Sequence, residues 1–330
     1  MGSGTTPTGP ARPRFVERGG EVVYRPPFLA SGVRMYAFVL EADATRLDQW
    51  YELSFAEPSG GAVRLRAASS HVVLAFAEIT RMAPSEEPDS TLGGTREVEA
   101  AIWAPAYDDT DELLWTMPYV FVEQMSPIAG GREIYGFPKQ LGRITGDFSA
   151  DAPTSLSVDA LAVRTFAPKA MARDERVITV SRSVGGAVPE AWTDIAEGHR
   201  QLLRQARATE PVRSDGGGSA LEADLAGLLV GDIVRCKVPL AFLKQFRSCS
   251  APELACYQAI VRVDLGLAKP RGAGRLPDDY TVTLEVLDSE PLVADLGLRH
   301  RQANTLAFWV DFDFTVQRGE VVWEAGVPSA

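Results

Sequence analysis

Five lysines, at positions 139, 169, 237, 244 and 269, stand against 28 arginines in this 330-residue chain. One of them, Lys139, lies in Gly130-Gly131-Arg132-Glu133-Ile134-Tyr135-Gly136-Phe137-Pro138-Lys139-Gln140-Leu141-Gly142, behind an apolar, glycine-lined approach. Lysine can lose its proton and arginine cannot. The neutral amine is a nucleophile toward carbonyl carbon. With a free pKa of about 10.4, only a few lysines in about 10,000 are neutral at pH 7. A working nucleophile needs a downward shift of about three to four units, or about 4–5 kcal/mol, from desolvation or a nearby cation. The bland alternative is a surface lysine whose stem lies along Phe137.

Other reactive groups are less organised. The three histidines (71, 199, 300) are scattered and the three cysteines (236, 249, 256) lack metal spacing, so no metal site is expected. Cysteines this sparse fit reduced thiols in a cytoplasmic protein. Asp108-Asp109-Thr110-Asp111-Glu112 is acidic but is not a calcium loop, and reads as a solvated turn. No glycine-rich phosphate loop follows a strand.

The bulk properties exclude several classes. The net charge of −11 argues against nucleic acid as a partner. No apolar run is long enough to span a membrane. Met1 to Pro13 is rich in Gly, Thr and Pro and has no apolar core, so it does not read as a secretory signal. A disordered tail over residues 1–20 is expected, then one domain over 21–330 with a flexible insertion near 209–220, where Asp215-Gly216-Gly217-Gly218-Ser219 lies.

The elements that must position the lysine are mostly strands. Val33–Glu41, His71–Thr80, Arg96–Trp103, Pro118–Gln124, Ser155–Val163, Arg176–Ser181, Ala255–Asp264, Tyr280–Leu287 and Thr305–Val316 all carry strand patterns. Asp43 reads as the N-cap of a short helix through Trp50. Pro189–Ala208, Leu221–Val230 and Pro239–Phe246 read as helices.

The stretch around Lys139 resembles the acetoacetate decarboxylase family. Gly131-Arg132-Glu133, then Phe137-Pro138-Lys139-Gln140-Leu141-Gly142, stand where the family has Gly-Arg-Glu and then aromatic-Pro-Lys-Lys-Leu. Phe76-Ala77-Glu78-Ile79 and Ala101-Ile102, with Glu97 before it, extend the similarity upstream. Ala255–Val263 and Trp309–Trp323 extend it downstream. The resemblance implies a mainly β (α+β) fold, an antiparallel or mixed barrel-like sheet with peripheral helices.

The resemblance also implies a chemistry. Lys139 falls at the position that forms a Schiff base with a keto acid, without a cofactor, and Glu78 and Glu97 fall near the family's active-site carboxylates. Glu99 shares a face with Glu97 and is an alternative to it. Arg34 and Arg132 are candidate carboxylate forks, and Gln140, Tyr135 and Phe137 complete the expected substrate site. Gln140 replaces the family's second lysine, which removes a neighbouring cation and leaves burial to activate Lys139. The expected function is a Schiff-base-forming lyase that decarboxylates a β-keto acid, in a cytoplasmic homo-oligomer. The alternatives are a lysine-dependent aldolase, dehydratase or cyclase on a larger keto acid, and a non-catalytic small-molecule-binding homologue.

Overall fold

The computed structural model describes residues 14–16, 23–183, 189–192, 237–268, 271–277, 279–304 and 306–326. Among these the strands, in chain order, are β1 (Phe28–Glu41), β2 (Leu65–Ala67), β3 (His71–Pro84), β4 (Thr95–Asp108), β5 (Leu113–Val122), β6 (Lys139–Gly146), β7 (Ser155–Ala162), β8 (Arg173–Arg182), β9 (Glu190–Ala191), β10 (Lys237–Arg247), β11 (Ala255–Leu267), β12 (Gly272–Arg275), β13 (Tyr280–Leu284), β14 (Arg301–Asn304), β15 (Ala307–Val316) and β16 (Glu320–Glu324). The fold is mainly β with a mixed sheet, as the sequence pattern predicts. No helix among the described residues is long and apolar enough to cross a membrane.

The pairings close a barrel. β1 pairs with β3, β3 with β4, β4 with β5, β5 with β10, β10 with β11, β11 with β15, and β15 returns to β1. All are antiparallel except the β5–β10 seam, where Leu240 meets Trp115 in parallel. The sheet continues from β5 through β6, β7, β8, β13 and β14, and this second layer packs on the outside of the barrel. The strand order thus yields two apolar compartments, one inside the barrel and one between barrel and outer sheet.

Burial on both faces explains the sequence pattern. Val72-Val73-Leu74-Ala75-Phe76-Ala77 of β3 is buried throughout, so it reads as a continuous apolar run rather than an alternation. Side chains still alternate in direction along each strand. In β1, Tyr36, Phe38 and Leu40 join the interlayer core while Met35 and Ala37 face the barrel interior. Phe38 meets Tyr280 of β13 edge-on, with ring centroids 5.3 Å apart. Each fully buried Leu or Phe contributes about 1.5–3 kcal/mol.

The helix Ala44–Tyr51 forms where expected, and the Asp43 carboxylate accepts from the amides of Thr45 at 2.8 Å and Arg46 at 3.4 Å. Pro239–Phe246 is not a helix. It lies within β10, where pairing with β11 overrides the local helical pattern. The start of the expected helix Pro189–Ala208 is also a strand: Glu190 and Ala191 form β9 against β12. The rest of that helix, the expected helix Leu221–Val230 and the insertion near 209–220 lie outside the described residues, as does most of the expected tail over 1–20.

Candidate active site

A cavity of about 190 Å³ occupies the barrel interior. Its wall is made by inward-facing residues of β1, β3, β4, β5, β11 and β15, and by the segment Ser126–Lys139 at one side. The short helix Met125–Gly130 runs into one wide turn of π-helix, Gly131–Tyr135. Such turns recur at functional sites. Gly136 then turns the chain into β6 with φ of 88°, and a Cβ there would fall 2.6 Å from the Lys244 Cα. Only glycine fits that crossing. A Cβ on Gly131 would lie 2.9 Å from Lys139 Cδ, so Gly131 leaves room for the lysine stem.

Lys139 opens β6 and is 8% exposed. Its backbone pairs with Val120 of β5, while Glu99 of β4 pairs with Val122 on the other side of β5. The lysine stem therefore reaches over the inner face of β5 toward β4. There Nζ donates a short hydrogen bond to Glu97 Oε1 and lies 3.6 Å from Glu99 Oε2. Glu97 is 1% exposed. Glu97 and Glu99 stand two residues apart on one face of β4, so both carboxylates meet one ammonium.

The electrostatics differ from the expectation of an amine activated by burial. Burial does pull the Lys139 ammonium down, but the charges of Glu97 and then Glu99, with their hydrogen bonds, more than offset it and hold the group above the usual lysine range. Burial raises the Glu99 carboxyl most, Lys139 lowers it, Glu97 raises it again, and the result is about 7. Two carboxylates, one amine and an exchangeable proton near neutral pH make a buried proton-sharing cluster.

The structure brings together only some of the candidate residues. Lys139, Glu97, Tyr135 and Phe137 line the cavity, with Glu99 beside them. Phe137 packs on Phe242 at 4.0 Å and lies 5.3 Å from Lys139 Nζ. Tyr135 is turned to structure at its polar end, where its hydroxyl donates to the Gln317 carbonyl at 2.9 Å.

The others lie outside the cavity. Glu78 alternates with the inward Ala77 and Ile79, and binds Arg96 at 2.6 Å and 2.9 Å. Arg34 likewise alternates with the inward Val33 and Met35; it pairs with Asp311 at 2.8 Å and stacks 4.2 Å over Trp309. Arg132 is exposed and donates to the Lys139 carbonyl at 3.2 Å, holding the start of β6 rather than facing the cavity. Gln140 points to the interlayer side and donates to Glu290 at 2.8 Å. That direction removes the neighbouring-cation argument: consecutive strand residues face opposite ways, so a charge at 140 would not sit beside the Lys139 amine.

The sequence reading did not include the cavity wall, Met35, Trp103, Trp115, Met117 and Phe308 among it. Its signal was the small residues Ala75 and Ala77 set among large ones in a run buried on both faces.

Residues 74–205 match the family model for acetoacetate decarboxylase. The structure superposes on acetoacetate decarboxylase from Legionella pneumophila with a TM-score of 0.59 at 14% identity, over 97% of this chain and 94% of that one. The chain thus resembles acetoacetate decarboxylase in sequence over residues 74–205 and shares its fold over nearly its whole length. The fold is shared with an acetoacetate decarboxylase-like enzyme from Sphingomonas wittichii (TM-score 0.53, 10% identity, 93% and 99% coverage). It is also shared with the enduracididine biosynthesis enzyme MppR complexed with the condensation product of pyruvate and imidazole 4-carboxaldehyde (TM-score 0.54, 13% identity, 91% of both chains). No curated protein matches the sequence.

Proposed function

We propose that this acetoacetate decarboxylase-like protein forms a Schiff base on Lys139 and decarboxylates a β-keto acid. The observation that carries the reading is a buried lysine in an otherwise apolar cavity, in contact with two carboxylates that can take up and return its proton.

The steps balance with that cluster and one proton from solvent. Glu97 accepts a proton from the Lys139 ammonium, and the freed amine adds to the substrate carbonyl. The carbinolamine hydroxyl leaves as water with a proton from the Glu99 carboxyl. The resulting iminium stands beside the Glu99 carboxylate, with Glu97 holding the proton taken from Lys139. The bond to the substrate carboxylate breaks, its electron pair enters the iminium as an enamine forms, and carbon dioxide departs. The Glu97 proton goes to the enamine carbon, water hydrolyses the iminium to release ketone and the Lys139 ammonium, and one proton from solvent restores the Glu99 carboxyl. Proton transfer of this kind contributes about 10²–10⁴-fold. The apolar wall suits loss of a carboxylate, because nothing there holds that charge more tightly before the step than during it.

A second reading keeps the substrate carboxylate and performs aldol condensation, dehydration or cyclisation. The pyruvate-derived condensation product bound to MppR favours it. The positions of Arg34 and Arg132 disfavour it, since neither guanidinium faces the cavity to grip a retained carboxylate.

Borohydride added with a series of β-keto acids should fix an adduct on the peptide containing Lys139, with carbon dioxide released in its absence. A Lys139→Ala chain should do neither. Lys139-dependent condensation without gas would move the assignment to the second reading. Tight ligand binding with no adduct would leave a non-catalytic homologue.

A further inference from the structure

Among the polar groups that line the cavity, Lys139, Glu97 and Glu99 form one cluster, and the others are engaged or peripheral. The Tyr135 hydroxyl is spent on Gln317, Tyr24 donates to the Leu92 carbonyl at 3.5 Å, and Ser126 is a half-buried residue of the helix Met125–Gly130. No arginine lines the cavity among the described residues.

From the cluster the wall runs on as hydrocarbon and aromatic surface. On β4 the lining positions extend from Glu97 to Trp103, about 20 Å of strand at 3.4 Å per residue. The register sets Glu97 opposite Ile79, Glu99 opposite Ala77, the inward Ala101 opposite Ala75, and Trp103 opposite Val73. The far part is thus walled by Val73, Ala75, Trp103, Trp115 and Met117, with the alanines keeping it open.

The size is also informative. An apolar cavity of about 150 Å³ takes up benzene. This one is about 190 Å³. A four-carbon keto acid on Lys139 would leave most of the apolar wall without a partner, and unfilled apolar space forfeits dispersion contacts and buried area.

Resting on the imine reading above, we infer that the substrate's non-reacting end is an aryl ring or a medium-length alkyl chain. It lies in the Trp103–Trp115 end of the barrel while its carbonyl meets Lys139. Burial of each added methylene in this space is worth about a fourfold gain in binding. The gain appears in kcat/KM until the cavity is full, and then reverses.

The test uses the full chain and a β-keto acid series from acetoacetate through longer alkyl homologues to an aryl member. Carbon dioxide release and borohydride trapping on Lys139 are both read. In parallel, the Lys139→Ala chain is titrated with a neutral aryl ketone, followed by tryptophan fluorescence. The expected result is kcat/KM at least tenfold higher for the aryl and mid-length members than for acetoacetate, with saturable ketone binding. An Ala75→Leu chain, its fold checked by melting, should shift the ratio of long to short substrates at least fivefold toward the short; Ala75→Val should give a smaller shift in the same direction.

Acetoacetate trapped and turned over as well as every longer member would overturn the inference while the imine reading stands. Saturable aryl-ketone binding with no adduct from any keto acid would support the apolar ligand class while the imine reading fails. An unchanged long-to-short ratio in well-folded Ala75→Leu and Ala75→Val chains would count against the location of the tail.

Discussion

The two faces of the barrel wall are built from the same strands to opposite rules. On the outer face Tyr36, Phe38, Leu74, Phe76 and Ile102 interlock with the second sheet, each almost fully buried. On the inner face Ala37, Ala75, Ala77 and Ala101 alternate with them and leave space. The polar groups follow the same division. Lys139 points inward to Glu97 and Glu99, whereas the next residue, Gln140, points outward to Glu290. Protein interiors are normally packed to crystal-like density. The outer face obeys that rule, and the inner face departs from it where the buried Lys139 amine is held. The contrast teaches that one strand can stabilise the molecule with its even-numbered side chains and leave a cavity open with its odd-numbered ones.

The contrast is broken most severely at Lys139. On the imine reading proposed above, Lys139→Ala should lower turnover by roughly 10⁴-fold or more, because no other lysine among the described residues lines the cavity. It should also leave Glu97 buried beside Glu99 without its cation. Breaking a buried pair by removing one partner costs about 3–5 kcal/mol. Chemical denaturation should show that loss at alkaline pH and a smaller one at acid pH, where the carboxyls are protonated. A variant as stable as the parent at every pH would show that the three groups do not share charge.

Next in size is the packing difference between adjacent β3 residues. Phe76→Ala on the outer face should cost about 3–5 kcal/mol. Ala75→Val on the inner face adds volume to open space and should be neutral or raise stability by about 0.5–2 kcal/mol. Denaturant midpoints of the two variants would measure the contrast directly, and equal destabilisation would erase it.

A pH dependence follows from the Glu99 carboxyl. Its folded value of about 7 lies above the ordinary 4.5. The folded state therefore holds a proton there that the unfolded chain has released, and the resulting stability is full below about 4.5 and lost as pH rises through about 7. Glu99→Gln should flatten stability across that window and remove an ionisation near neutrality from the pH–rate profile. Identical profiles in variant and parent would place that ionisation elsewhere.

The smallest expected effect is at Gln140→Lys. A lysine there faces Glu290 across the interlayer space, not the Lys139 amine. The pH dependence of imine trapping should move by less than about half a unit, far short of what a close like charge produces. A downward shift of one unit or more would mean that the two faces communicate.

These particulars also explain what was legible in the sequence. The strands β1, β3 and β4 stood out as apolar runs of β-branched and aromatic residues, and Lys139 stood out through its glycine and proline setting. Glu97 was legible from its place before Ala101-Ile102. Direction was not. In a run buried on both faces hydrophobicity carries no alternation, so the inward or outward sense of Glu78, Arg34 and Gln140 is fixed only by the register with neighbouring strands. β10 was misread because Pro239 followed by spaced apolar residues fits a helix start as well as a strand, and its partner β11 lies beyond the local window. The raised pKa of Lys139 was hidden for the same reason: it depends on carboxylates forty residues away in sequence that the barrel brings across β5.

The strand β6 is shared between the two layers. Its first three residues pair with barrel strand β5, and from Gly142 onward it pairs with β7 of the outer sheet. Lys139 thus sits at the splice, with its carbonyl pinned by Arg132. Peeling the outer sheet away would pull on Lys139, the residue proposed above to form the imine. Loss of activity and opening of the layers should therefore coincide in a denaturant series, with slow amide exchange along β6 collapsing at the same point, and a partly opened but still active molecule should not accumulate.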